Sequence, residues 1–206
     1  GQAQYFFDET VTPFIIDEII LQNAFRKVLC IGCPSLHEEI IAKYSDRLSS
    51  FLLDIDPRFR QFYPAQQFAR FNMFNCYFFN DDAAQNQLIH FLDGKDGLHS
   101  TDIIIVIDPP FGGRMEFLAE TLRKLQAIMS TKDSEFFEFD FNTPFPPLIL
   151  FYPYFNEHWV TRNFCDVKTT DFIVTYANHA KFRKKPTTQT TTLITQTNNS
   201  SEAASN

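Results

Sequence analysis

The chain has 206 residues, with 18 Lys and Arg against 25 Asp and Glu, a net charge of −7 and a pI near 5.2. That balance excludes a protein that grips nucleic acid through its overall field, although a local basic patch or basic partner domains stay compatible with it. The length suits one domain with a sizeable core, and the 25 phenylalanines need burial or a docked surface for their rings. No apolar run approaches the roughly 18 residues that span a bilayer, and the opening GQAQYFFDET lacks the basic start and apolar stretch of a signal peptide. The chain reads as soluble and intracellular, with no membrane partner.

In chain order, the pattern predicts a strand over "RKVLCIG" (26–32), then a helix over "SLHEEIIAKYSD" with Ser35 as its N-cap. A second strand is expected over "SSFLLDID" (49–56), ending in acids, and a third, shorter one over "FARFNMFN" (68–75). A helix over 82–92 leads to a fourth strand, "TDIIIVID", and "MEFLAETLRKLQAIM" (115–129) is the clearest amphipathic helix. "PPLILFYPYF" (146–155), "TTDFIVTYAN" (169–178) and "TTLITQT" (191–197) complete seven strands. Strand–helix alternation over the first two thirds implies a parallel sheet with helices on both faces. The last two strands have no helix between them and should pair as an antiparallel hairpin at one edge. The domain therefore spans 1–197, and the polar tail 198–206 should be disordered.

Four cysteines suit a reducing compartment better than a disulfide framework. Cys30 and Cys33 form a C-x-x-C, but no second pair follows at finger spacing, so no metal is assigned to this chain. His37, His90 and His99 are read as surface residues, while His158 and His179 follow strands and should lie nearer the active face.

In such a sheet, ligands sit beyond the carboxyl ends of the strands. Gly32 stands alone at the first strand-to-helix turn, which lets a ligand approach the backbone, and the absence of G-x-G-x-x-G argues against a dinucleotide cradle. After the second strand, Asp54 suits the hydroxyls of a ribose and Asp56, before Pro57, suits a helix cap. After the third, Asn72 to Asn75 offer amides that could read an adenine edge or simply form a turn. One glycine, a ribose acid and a polar base reader describe a nucleoside cofactor without a pyrophosphate. S-adenosylmethionine fits that description. After the fourth strand comes "DPPFGG" (108–113), an acid held by prolines and followed by an aromatic ring.

That D-P-P-F resembles the [DNS]-P-P-[FYW] signature of amino-group methyltransferases. With "QYFFDETV", "FRKVLCIGCPSLHEEI", "LLDIDPRFRQFY", "FNMFNCYFF", "FYPYF" and "YANHAKF", the chain from about Gln4 to about Thr197 resembles the CCHC-zinc-finger family of ribosomal-RNA adenine-N6 methyltransferases. The resemblance implies a Rossmann-like class I S-adenosylmethionine-dependent methyltransferase fold and an adenosine of large-subunit ribosomal RNA as acceptor. It further implies a nuclear or nucleolar enzyme. By motif, Asp108, Pro109, Pro110 and Phe111 carry over as the catalytic loop. Gln4, Tyr5, Phe6, Gly32, Asp54, Asn72, Met73 and Asp108 carry over as donor contacts. The family's zinc-binding segments, expected to assist RNA binding, have no counterpart in this sequence, which reads as an excised catalytic core. Two rivals stay open: a protein-lysine N-methyltransferase, because the same loop can hold other amines, and a module that binds the cofactor without catalysis. The Phe-rich stretch 131–146 is read as an insert away from the active face, and "NHAKFRKK" (178–185) as a basic hairpin loop or a phosphate contact.

Overall fold

The computed structural model describes residues 10–79, 82–92, 102–110, 112–130, 146–153, 156–164, 167–174 and 190–195. Its frame is a sheet whose central strands are all but inaccessible to water. β1 (Lys27–Ile31), β2 (Ser49–Asp54), β3 (Phe68–Arg70), β4 (Ile103–Ile107) and β5 (Leu148–Pro153) lie in the order β3-β2-β1-β4-β5, every pair parallel. Such strands are covered on both faces, which is why "KVLCI" and "IIIVI" are continuously apolar rather than alternating. Beyond β5 the sheet continues through β7 (Thr190–Thr195) and β6 (Val167–Val174), antiparallel to their neighbours, with β7 lying between β5 and β6. The mixed α/β architecture with a parallel sheet follows the sequence-based expectation.

The period of two sorts the strand side chains between two cores. Leu29, Ile31, Phe51, Leu53, Ile105 and Ile107 face one way, toward α3 (Asp82–Leu92), α4 (Met115–Ser130) and α5 (Glu157–Asn163). Val28, Cys30, Leu52, Ile104 and Val106 face the other, toward α2 (Pro34–Lys43) and a helix ahead of β1. That first helix runs as α1 over Val11–Phe14 and continues as a π-helical turn over Ile15–Leu21, burying Ile15, Ile16 and Ile20. The sequence reading assigns no element there, although Val11, Ile15, Ile16, Ile19 and Ile20 recur at helical spacing.

Three local expectations need correction. α2 begins at Pro34 with Cys33 at the N-cap position, not at Ser35, because proline's fixed φ suits the first helical turn. β3 stops at Arg70 rather than continuing to 75. Asn72 ends it: its side-chain oxygen accepts the Phe74 N–H at 3.0 Å, the Asn75 N–H donates to the Asn72 carbonyl, and Asn72 bridges back to Tyr77 as a small antiparallel hairpin. His37, expected on the surface, is fully buried. It turns inward on α2 because Ser50 on β2 offers its hydroxyl 2.8 Å from Nδ1, while Tyr63 meets the ring edge-on at 4.5 Å. Burial pulls the imidazole down to about 4, so it is neutral in the folded protein at physiological pH. Residues 131–145 and 178–185, and the tail, lie outside the described residues.

Candidate functional site

β1 is followed by α2 and β2 on one side of the sheet, whereas β4 pairs with β1 on the other. The strand order therefore reverses between β1 and β4, and the crevice at their carboxyl ends is where open α/β sheets hold ligands. Both strand ends carry the residues singled out in the sequence. The Asp108 N–H donates to the Ile31 carbonyl at 3.1 Å and the Gly32 N–H to the Leu53 carbonyl at 2.9 Å, so sheet hydrogen bonding runs into the site itself. The crevice floor is thereby fixed.

Gly32 has φ +69°, a left-handed conformation that glycine adopts without steric cost. A Cβ there would stand 2.7 Å from Met73 Cε and 2.8 Å from the Asp108 carbonyl oxygen. Gly32, Met73 and Asp108, from the segments that follow β1, β3 and β4, thus converge, with the Met73 methyl and the Asp108 carbonyl packed over the glycine.

Asp54 closes the β2 end. It is buried, and its Oδ1 accepts the Asp56 N–H at 2.8 Å. Burial pushes its carboxyl up to about 6, partly offset by backbone hydrogen bonds to the carboxylate. Asp56 has the other role: its side chain accepts the Arg58 N–H at 2.9 Å as the cap of the 3₁₀ helix Pro57–Gln61. Hydrogen bonds from Arg58 hold its carboxyl below the ordinary range. Two nearby acids, one spent on a cap and one held with no cation among the described residues, are what a site needs if only one is to meet a ligand.

Pro109 is buried and Pro110 exposed, so the acid is followed by one anchored and one presented ring. The loop then closes as a turn through the Gly113 N–H to the Pro110 carbonyl at 2.8 Å. Asn72 is half-buried, with its side-chain oxygen committed to the hairpin turn described above. Gln4, Tyr5, Phe6 and Phe111 lie outside the described residues.

Three residues at this site were given no catalytic or donor-binding role from the sequence. Cys33 lies below Gly32, its thiol 3.4 Å from the Ile31 carbonyl and 3.5 Å from the Val106 carbonyl. Burial first, and then nearby Asp108, push that thiol well up, so it stays protonated and can donate its one hydrogen to either strand end. Phe74 and Gly113 touch each other, since the space a Gly113 Cβ would need is taken by the Phe74 ring edge. No sequence signal marks Phe74 among 25 phenylalanines. The second glycine of "FGG" was the one available hint. Cys30 and Cys33 are both buried, and no cluster of three or more His, Cys, Asp or Glu suited to a metal occurs among the described residues. No helix among them is long and apolar enough to cross a membrane.

Fold and site together define an α/β protein with a crevice between β1 and β4, lined by a glycine and a buried acid, at the place where open α/β sheets hold ligands. Residues 1–193 match the family described as "Probable N6-adenine methyltransferase", and the chain belongs to that family. It is 38% identical over 187 residues to the rRNA N(6)-adenosine-methyltransferase ZCCHC4 of Xenopus tropicalis, covering 89% of this chain and 36% of that protein. It is 37% identical over 185 residues to the human protein of the same name, covering 88% and 34%. The chain thus spans about a third of the length of these curated relatives.

Proposed function

We propose that this chain is the catalytic core of a class I, S-adenosylmethionine-dependent methyltransferase that acts on the N6 amino group of an adenosine in large-subunit ribosomal RNA. The observation that carries the reading is the convergence of Gly32, Met73 and Asp108 at the switch point, with Asp54 beside them, in a chain of the N6-adenine methyltransferase family. The relatives' names supply ribosomal RNA as the acceptor. The remaining two thirds of such a protein would add zinc-binding segments that assist RNA binding, and the nucleus or nucleolus is the compartment that fits.

The residues present suit the donor. With no side chain of its own, Gly32 lets a nucleoside come close to the backbone where the flexible end of Met73 can give way, and a buried carboxylate with no cation partner among the described residues suits two ribose hydroxyls. Gln4, Tyr5 and Phe6 would cover the donor, and Asn72 with Met73 would flank its base. The bound donor supplies an electrophilic sulfonium methyl group.

The acceptor chemistry falls to the loop after β4. An exocyclic adenine nitrogen is a poor nucleophile because its lone pair is delocalised into the ring. The Asp108 carboxylate and the Pro109 carbonyl accept its two N–H bonds, which favours a pyramidal nitrogen and aims the freed lone pair at the methyl group. Proline has no N–H and a fixed φ, and it keeps the preceding residue extended, so the two acceptors are presented rigidly. Phe111 stacks on the base, a contact worth about 1–3 kcal/mol. The base must be unpaired or flipped out to reach the loop. Positioning supplies most of the rate.

Transfer of a labelled methyl group tests the reading: label should enter RNA and not protein. Label in protein alone would favour a lysine methyltransferase. No label in either would leave a binding module.

Asp54 gives a sharper check. The folded carboxyl is raised to about 6 against an ordinary 3.8, so its stabilising contribution is present below about 3.8 and is lost as pH rises through about 6. At neutral pH the fold therefore carries a cost of up to about 3 kcal/mol for an ionised Asp54. Asp54→Asn removes that cost. The variant is expected to unfold in urea at a higher midpoint at pH 7, yet bind S-adenosylhomocysteine at least about tenfold more weakly in calorimetry, because it loses the charge that draws two hydroxyls. Unchanged affinity would remove Asp54 from the donor site.

A further inference from the structure

We propose that Phe74 is a positioning residue for methyl transfer: its ring, carried on the 72–77 hairpin, buttresses the acceptor loop at Gly113 and so ties that loop to the donor side of the crevice. The inference rests on the functional reading above and adds a residue that the D-P-P-F motif does not contain.

Two consecutive residues at the hairpin tip reach the two halves of the site. Met73 places its Cε 2.7 Å from where a Gly32 Cβ would stand, over the donor wedge. Phe74 places its Cε1 2.7 Å from where a Gly113 Cβ would stand, with its Cζ closer still. The Pro110 carbonyl lies 3.0 Å from that same point and accepts the Gly113 N–H at 2.8 Å. Gly113 is therefore held between a ring and its own turn, and glycine is the residue that fits. Gly112, its neighbour, has nothing among the described residues within 4 Å of an added Cβ, so among them this close packing belongs to one position of the loop.

The hairpin can bear such a load because it is fastened at both ends. At its base, Arg70 donates from Nε to the Ile55 carbonyl at 3.1 Å and lays its guanidinium 3.9 Å over the Phe79 ring. At its tip, Met73, Phe74 and Cys76 pack against the buried core that includes Met115 and Leu118 of α4. Cys76 adopts φ +57°, which returns the chain to Tyr77. A half-buried phenylalanine so mounted has little freedom to leave Gly113. It acts on the reaction only through the loop that presents the Asp108 and Pro109 acceptors.

The test is a compensating pair in the 206-residue chain, read by hydrogen exchange of the 111–114 backbone amides, by kcat for transfer to RNA, and by S-adenosylhomocysteine affinity. Gly113→Ala is expected to speed exchange of the loop and lower kcat by about tenfold to a hundredfold, with donor affinity held within a few-fold. Phe74→Leu with Gly113→Ala shortens the ring that the new methyl meets, and should recover both exchange protection and most of kcat. Phe74→Tyr adds an oxygen at the atom nearest Gly113, so it should behave like Gly113→Ala and not as a conservative change. If Phe74→Tyr fails to fold, the Gly113→Ala pair carries the comparison. The proposal is overturned if loop exchange is unchanged in Gly113→Ala, if the double variant is no better than Gly113→Ala alone, or if donor affinity falls as far as kcat. A wild-type chain that methylates no RNA would defeat the functional reading, while the exchange comparison would still decide whether Phe74 braces the loop.

Discussion

Replacing Asp108 with alanine is expected to slow methyl transfer by at least about a hundredfold while leaving S-adenosylhomocysteine affinity within a few-fold. The asymmetry follows from where the residue stands. Its backbone is locked into the sheet by the N–H donated to Ile31, and its carbonyl forms part of the wedge over Gly32. Neither depends on the side chain. In the proposed role the carboxylate accepts an N–H of the amine, an interaction made only when that amine is in place. Its loss removes an interaction made in the transition state, which lowers kcat and kcat/KM together. Single-turnover transfer beside calorimetry checks the split. An Asp108→Ala protein that methylates at near wild-type rate would move the acceptor role elsewhere.

Gly32→Ala should be as damaging by a different route. The residue sits at φ +69°, where a Cβ costs roughly 1–2 kcal/mol in backbone strain. The Cβ would also meet the Asp108 carbonyl oxygen at 2.8 Å, and that atom is main chain that cannot swing aside as the Met73 side chain can. Relief must move β1 and β4 apart at the switch point or shift the start of the acceptor loop. Donor affinity is therefore expected to fall at least about tenfold, and kcat with it, accompanied by a lower unfolding midpoint. The contrast with Asp108→Ala is informative: one change separates donor binding from turnover and the other should not. A Gly32→Ala chain that binds S-adenosylhomocysteine normally would show that the donor lies away from β1.

Much of the frame was legible in the sequence because burial on both faces writes itself as uninterrupted apolar runs, as in β1 and β4. The cap role of Asp56 could also be read, since Pro57 marks a helix start that an acid before it can cap. What could not be read depends on contacts between distant segments. "IIDEIIL" is helical because the sheet offers it a face to cover. His37 is buried because Ser50, thirteen residues on, receives it. The turn after Arg70 was one of two readings of Asn72, and only the hairpin back to Tyr77 decides how its side-chain oxygen is used. The D-P-P-F loop announced itself, but its buttress did not. Phe74 and Gly113 are apart in sequence and ordinary in composition, and their meeting is a property of the closed crevice.

The central claim is that the crevice methylates the N6 nitrogen of an adenosine in RNA, and the product nucleoside tests it most directly. Large-subunit ribosomal RNA, or a transcript from it, would be incubated with the chain and isotopically labelled S-adenosylmethionine, digested to nucleosides and resolved by mass spectrometry. Labelled N6-methyladenosine should form with the wild-type chain and be lost with Asp108→Ala. Label in another nucleoside, or N6-methyladenosine formed equally well by Asp108→Ala, would contradict the account.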